Sequence, residues 1–269
     1  MIQVSIITVG FKSQDTILPF LDSISKSKDG LTKEIIVVNN MKDEVSDLAR
    51  NHKTKPTVIT NETNLGFSKA INIGLSISKG EYIFILNPDT KLKPLTIKKL
   101  FQFASSHKGL GAVAPKLLDL GGKVQASVFR FPTILNAIRK YFFGCKNCFG
   151  KYYPGNSTTK VDVAVMAALF IPREVITRLG GLDERFFLYY EDIEYCHRLH
   201  QHRLPIYYYP KASVYHQHGA SGNFVFHLHS PLLKSSRIYH GYLYSQTLNL
   251  VLNIGQKMHK LFRLITKPI

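Results

Sequence analysis

The sequence predicts an α/β fold, with a mostly parallel central sheet flanked by helices and a basic helical extension at the carboxyl end. Three observations carry this. Apolar, β-branched runs alternate with segments of helical periodicity four times before position 107. The strand runs show no polar alternation, as expected where helices cover both faces of a sheet. With 269 residues, 45% of them apolar, the chain can bury a sizeable core as one large domain or one domain with an appendage.

The elements follow in order. VSIITV (4–9) reads as a strand, and residues 15–25 as a helix with Ile17, Leu18, Leu21 and Ile24 on one face. EIIVVNN (34–40) leads to a polar helix through Arg50, PTVITN (56–61) to a helix from Phe67 to Ser78, and EYIFIL (81–86) to a helix from Pro94 to Ser106. After Gly109 the pattern is less regular. GAVAPKLLD and KVQASVFRF read as strands, 133–143 as a helix, and VDVAVMAALFIP as one long apolar strand beyond a polar loop at 150–159. EDIEYCHRLHQH opens a helix with its acids at the favourable end. IYYYP and SVYHQH close the globular part as strands.

Charge narrows the partner. Thirty-five Lys and Arg against 18 Asp and Glu give +17, which suits an anionic partner: nucleic acid, nucleotide or acidic membrane. Glu194 is the last acid, and nine Lys or Arg follow it; a second acid-free stretch, 120–161, carries seven more. The amino terminus has no basic leader before its apolar run, so no signal peptide is expected, and no apolar run reaches the roughly 18 residues of a membrane span. Cys145, Cys148 and Cys196 are expected as reduced thiols of a cytoplasmic protein, since CKNC has no second pair. In the tail, Val251, Ile254, Met258, Leu261 and Ile265 fall on one helical face. That pattern suits an interfacial membrane helix or a helix packed on the domain.

Ligands of parallel sheets gather at the carboxyl ends of strands. Here those ends read Thr8-Val9-Gly10, Asn39-Asn40, Asn61 with Asn64, and Asn87-Pro88-Asp89, all small or amide-bearing. Asp89 suits a hard divalent cation, or a turn before Thr90. Glu191-Asp192 follows the aromatic run FFLYY, which would desolvate a carboxylate into a general base; the bland reading is a helix-start acid pair. His197, His200 and His202 do not make a compact zinc face. His216 and His218 end a strand and point the same way, so either completes a metal site begun by Asp89 or belongs to the strand. No GxxxxGK[ST], GxGxxG or GxSxG motif is present, which argues against familiar ATPases, dinucleotide oxidoreductases and serine hydrolases.

In combination, VSIITVGFKS, EIIVVNN, NLGFSKAINIG, GEYIFILNPDT, APKLLD, FRFPT, GGLDERFFLYYEDIEYCHR and YYYPKASVYHQHGAS resemble the family 2 glycosyltransferases of GT-A (Rossmann-like) fold, within the bacterial rhamnosyltransferase-like branch. The resemblance spans roughly residues 2–221. It implies a GT-A domain over 1–229, with a nucleotide-sugar half (1–109) and an acceptor and catalytic half (110–229), followed by a basic amphipathic tail at 230–269. It implies that Thr8, Gly10 and Asn39 line the base and ribose pocket and that Asn64, Gly66 and Lys69 close over the nucleotide. Asn87 and Asp89 then meet the donor diphosphate, Asp89 with His216 (or His218) holds Mg²⁺ or Mn²⁺, and Asp192 is the catalytic base.

The implied activity is inverting transfer from a nucleoside-diphosphate sugar, dTDP-L-rhamnose first. The implied acceptor is a lipid-linked glycan of O-antigen or capsule type, met on the inner face of the cell membrane. Three departures stand out: Asn39 where relatives carry Asp, VGFKS where they carry VNYN, and Asn87 in the first acidic position of the metal motif. A nucleotidyltransferase and a basic nucleic-acid-binding protein are the alternatives.

Overall fold

The computed structural model describes residues 1–217 and 231–265. Its first half is the alternation the sequence predicts. Strands β1 (Val4–Gly10), β2 (Lys33–Asn39), β3 (Thr57–Thr60) and β4 (Tyr82–Leu86) lie parallel in the order β3-β2-β1-β4. Helices α1 (Gln14–Ser25), α2 (Val45–Arg50), α3 (Phe67–Ile77) and α4 (Thr96–Ser106) connect or follow them. Every residue of β1 is buried, which is why its run carries no polar alternation.

The second half departs from that regularity. Two further strands, β6 (Ala112–Leu118) and β11 (Ile206–His216), run parallel to each other. Between β4 and β6 lies β10 (Ala168–Pro172), antiparallel to both. The short β5 (Thr90–Leu92), which follows directly from the NPD turn, pairs antiparallel with β11 and sets Thr90 opposite His216. The sheet has nine strands among the described residues, with β8 (Thr159–Val161) also paired to β11.

Several expectations need correction. VDVAVMAALFIP is not one strand: it breaks into β8, β9 (Val163–Ala164) and β10, because β9 leaves the main sheet to pair with β7 (Val128–Phe129). Asp162 sits at the break, 3.6 Å from Arg130. IYYYP and SVYHQH are one strand, β11, with an irregularity between Tyr209 and Ser213. Helix α6 (Arg173–Leu179) was absent from the sequence pattern. Cys145 and Cys148 are joined as a disulfide rather than standing as thiols; the turn after α5 (Ile134–Phe143), where Gly144 takes φ 69°, brings their Cα atoms to 5.7 Å. Cys196 is free and buried.

The carboxyl-terminal elements are α7 (Glu191–Gln201), α8 (Pro231–His240) and α9 (Tyr242–Ile265). Helix α9 packs on α5 through Leu248 and Leu252 against Ala137, and Gly255 admits the Tyr141 ring where a Cβ would collide with it. The packed face is thus not the one the sequence singled out, of which Val251 alone among the described side chains packs here. Ile254 and Met258 remain exposed. Among the described residues, no helix is long and apolar enough to cross a membrane.

Candidate functional site

At the carboxyl ends of β1 and β2, polar side chains meet in a buried network. Asn40, 2% exposed, uses its full hydrogen-bonding capacity. Its Nδ2 donates to Asn64 Oδ1 (2.8 Å) and to the Gly66 carbonyl (3.1 Å), while its Oδ1 accepts from Asn61 Nδ2 (3.0 Å) and the Leu65 N–H (3.1 Å). Asn64 Oδ1 also accepts the Gly66 N–H at 2.9 Å. The NLGF segment is therefore fastened to the end of β2. Sequence reasoning placed Asn40 at a strand exit without giving it a role; the amide-rich exits at 61 and 64 were the available signal.

Gly66 needs to be glycine. Its φ is 84°, and a Cβ would lie 2.6 Å from the Phe187 carbonyl oxygen. That same oxygen accepts the Phe67 N–H at 2.7 Å, tying the start of α3 to the aromatic loop that precedes Asp192. Lys69, in the first turn of α3, is exposed.

Asn39 is fully buried, and its neighbours decide what it offers. Nδ2 donates both its hydrogens, to Asp43 Oδ1 (2.8 Å) and Ser46 Oγ (2.9 Å). The added donor that distinguishes Asn from the usual Asp is consumed internally. What remains is Oδ1, a buried acceptor with no partner among the described residues, beside Gly10 and on the same edge as the equally unpartnered Thr8 Oγ1. Buried orphan acceptors are rare and costly unless a ligand satisfies them.

A second corner forms where β4 ends. Asn87 donates its N–H to the Ala167 carbonyl (3.0 Å), and its own carbonyl accepts both the N–H and the hydroxyl of Thr90, so the NPDT turn is real. Inside that turn the Asp89 side chain is 7% exposed, and Oδ1 accepts no hydrogen bond among the described residues. His216 Nε2 stands 3.5 Å from it, and the Gln217 N–H donates to the Asp89 carbonyl at 3.0 Å. Burial pushes the Asp89 carboxyl up to about 6. His218 lies outside the described residues.

Gln125 sets the imidazole's tautomer. Its Nε2 donates to the His216 carbonyl (2.8 Å), so its Oε1, 3.0 Å from Nδ1, must be the acceptor of an Nδ1–H. Nε2 is then the ring nitrogen that faces Asp89. This is how a metal-binding histidine is usually prepared. Gln125 sits on an irregular stretch between strands, where nothing in the sequence marked it.

The chemistry of these donors fits a divalent cation: a buried carboxylate oxygen without a partner and an imidazole nitrogen converge. Two such donors leave open positions, and no group of three or more His, Cys, Asp and Glu that could hold a metal ion occurs among the described residues.

Asp192 stands on the first turn of α7, whose Cys196 packs on the Ala164 carbonyl of β9. Residues 165–167 then carry the chain to the Ala167 carbonyl that holds Asn87. The helix bearing Asp192 is thus anchored to the strand segment that supports the NPD turn. Tyr189 and Tyr190, just before it, both have φ 68°. For non-glycine residues this left-handed backbone costs about 1–2 kcal/mol each. It aims the acids: Asp192 is half-buried and accepts the Ile193 N–H (2.9 Å), and Glu191 Oε2 is buried with no hydrogen-bond partner among the described residues. Burial raises Asp192 to about 6, against the opposing pull of Lys151. Burial and then the neighbouring Asp192 charge raise Glu191 to about 8. Burial holds both acids above the ordinary carboxylate range, and because their charges interact the proton belongs to the pair.

Comparison with known proteins matches residues 5–149 to the model of Glycosyl transferase family 2. The low-salt glycan biosynthesis hexosyltransferase Agl10 of Haloferax volcanii is 26% identical over 215 residues, covering 75% of this chain and 63% of that protein. The N-acetylglucosaminyl-diphospho-decaprenol L-rhamnosyltransferase of Mycobacterium tuberculosis is 25% identical over 221 residues, covering 73% and 70%. Among solved structures, GalNAc-T7 with UDP, GalNAc and Mn²⁺ superposes with a TM-score of 0.65 at 16% identity, over 87% of this chain and 47% of that one. The shared architecture is the GT-A fold. The chain thus spans less than two thirds of the first curated relative and about half of that solved chain.

Proposed function

The chain belongs to glycosyl transferase family 2, and from that premise we propose that it is an inverting, metal-dependent glycosyltransferase acting on a lipid-linked surface glycan. The observation that carries the reading is the pairing of two differently prepared carboxylates: Asp89 with His216 in a buried corner, and Asp192 on the first turn of α7 behind a strained loop. A nucleoside-diphosphate sugar needs one group to hold its diphosphate and another to activate the acceptor.

Asn39 Oδ1 and Thr8 Oγ1 accept hydrogen bonds from the nucleoside, and Gly10 lets the base approach the sheet edge. Asn64 and Gly66 shape the wall over the nucleotide, with Lys69 on the same helix and Asn87 beside the diphosphate. Asp89 and His216 hold Mg²⁺ or Mn²⁺, which when bound stabilises the charge of the departing diphosphate. Asp192 takes the proton of an acceptor hydroxyl as its oxygen bonds to the anomeric carbon. The bond from that carbon to the diphosphate oxygen breaks on the opposite face, so configuration inverts and a nucleoside diphosphate leaves.

The name of the mycobacterial relative supports L-rhamnose as the sugar and a lipid diphosphate as the acceptor's carrier. dTDP-L-rhamnose is the donor to test first, UDP-sugars next. Such an acceptor places the enzyme peripherally on the inner face of the cell membrane, with O-antigen or capsule as the product class. The test presents a panel of nucleotide sugars with Mg²⁺ or Mn²⁺ and follows binding and slow hydrolysis. We expect one donor to release nucleoside diphosphate only with metal present. Folded protein that engages none of them would overturn the reading, and release of pyrophosphate from a nucleoside triphosphate would replace it with nucleotidyl transfer.

A further inference from the structure

Helices α5 and α9 each leave an apolar stripe uncovered. On α5 these are Leu135 (54% exposed) and Phe142 (42%), with Phe143 at the end of the helix (78%). On α9 they are Leu243 (80%), Leu250 (59%), Ile254 (44%) and Met258 (49%), at the spacing of a single helical face. Isolated exposed hydrophobes need no explanation, but two neighbouring helices each carrying a stripe do.

The two stripes lie on one side of the pair. The helices run in the same direction: the Ile134 N–H donates to Tyr244 Oη at 3.0 Å near both starts, and Tyr141 meets Gly255 further along. Their contact lines are Ile134, Ala137 and Tyr141 on α5 and Leu248, Leu252 and Gly255 on α9. At about 100° per residue, each stripe is turned from its contact line by roughly 125°, and in opposite senses. For two helices pointing the same way, opposite turns carry both stripes to the same side.

Charge identifies what meets that side. Arg139 lies within the α5 stripe, Lys257 flanks the α9 stripe, and Lys146 follows Phe143; all are exposed. Neither 120–161 nor 195–269 contains an acid. A second copy would bring like charge to like charge. Nucleic acid would leave the aliphatic stripe in contact with phosphate and water. An anionic bilayer accepts both parts, apolar side chains at the acyl boundary and cations among the headgroups.

We propose that the paired α5–α9 face docks on an anionic lipid surface. It is joined to the loop before Asp192 through α8. Ser236 and Ser245 bond α8 to α9 at 2.9 Å, Ser235 Oγ donates to the Leu188 carbonyl at 2.8 Å, and Tyr239 packs on Tyr190. The lipid contact therefore sits one helix away from the loop that aims Asp192. This names the partner surface for the lipid-linked acceptor and in that respect rests on the proposed function.

The test is cosedimentation of the full chain with phosphatidylcholine vesicles, with and without phosphatidylglycerol. We expect binding only to the anionic vesicles. The double variant Phe142→Ser/Leu250→Ser, altered only at exposed positions, should weaken binding at least about tenfold. Arg139→Gln and Lys257→Gln should each weaken it about fivefold and reduce its salt sensitivity. Donor hydrolysis in free solution should be unchanged in all of them, which separates failure of this surface from failure of the glycosyltransferase reading. Absence of vesicle binding, binding indifferent to these substitutions, or a dimer that the double variant dissociates would each overturn the proposal.

Discussion

At the ends of β1 and β2 the polar groups hold one another; at the start of α7 the chain is held from outside. Asn40 makes four hydrogen bonds and consumes no strain, so the proposed nucleoside edge is rigid on its own account. Tyr189 and Tyr190 sit in the left-handed region, and Asp192 accepts the N–H of its neighbour Ile193. That loop keeps its shape because Phe187, Leu188 and Tyr190 are gripped by α3 and α8. A preformed edge suits a ligand whose shape is constant. A loop propped by its neighbours suits an aimed, partly desolvated base.

The sharpest break in this comparison is Asp192→Asn. It should lower transfer by about 10²–10⁴-fold while leaving nucleotide affinity intact, since the Asp192 side chain bonds within its own helix and to no residue of the Asn40 network. Stopped-flow or coupled assays of transfer against calorimetry of nucleotide binding would separate the two. In the native chain the acidic limb of transfer should fall near pH 6 rather than near 4: the base acts deprotonated, and its pKa is raised. A limb at the ordinary carboxylate pH would deny the burial its effect.

Next in size, Asn40→Ala should cost about 3 kcal/mol in denaturant unfolding, because it leaves several buried partners unsatisfied. If stability hardly changed, the nucleoside edge would not be self-supporting. Gln125→Leu is expected to weaken Mn²⁺ affinity about tenfold or more by releasing the His216 tautomer, read by calorimetry with nucleoside diphosphate present. Equal affinity would make Gln125 merely structural. The smallest effect concerns Asn39→Asp, which restores the residue common in the family. Here it would face Asp43, 2.8 Å from the present amide, and should weaken nucleotide binding by about 1 kcal/mol; tighter binding would refute the assignment of the amide's orientation.

The first half of the fold was legible because β1 to β4 are continuous apolar runs, buried on both faces and punctuated by amides. VDVAVMAALFIP misled for the same reason: apolarity shows burial but not the point where a strand changes sheet, and only Asp162 hinted at the break. Asp89, Asp192 and His216 announced themselves by residue type. Gln125 did not, because an amide that fixes a tautomer is recognisable only once the fold has brought it 91 positions along the chain to its histidine. The exposed stripe of the tail was foreseen in part; Val251 instead packs inward, and α5 supplies the other half of the face from a segment that reads by itself as an ordinary amphipathic helix.

The hydrogen bond from Ser235 to Leu188 also bears on how the molecule can be handled. Position 229 looks from the sequence like a natural place to trim a sticky tail. A chain cut there would lose the clamp on the aromatic loop along with Tyr239, and Tyr189 and Tyr190 would be free to relax to ordinary backbone angles. Trimming for solubility would thus yield a protein that keeps the Asn40 network yet loses its hold on the direction of Asp192.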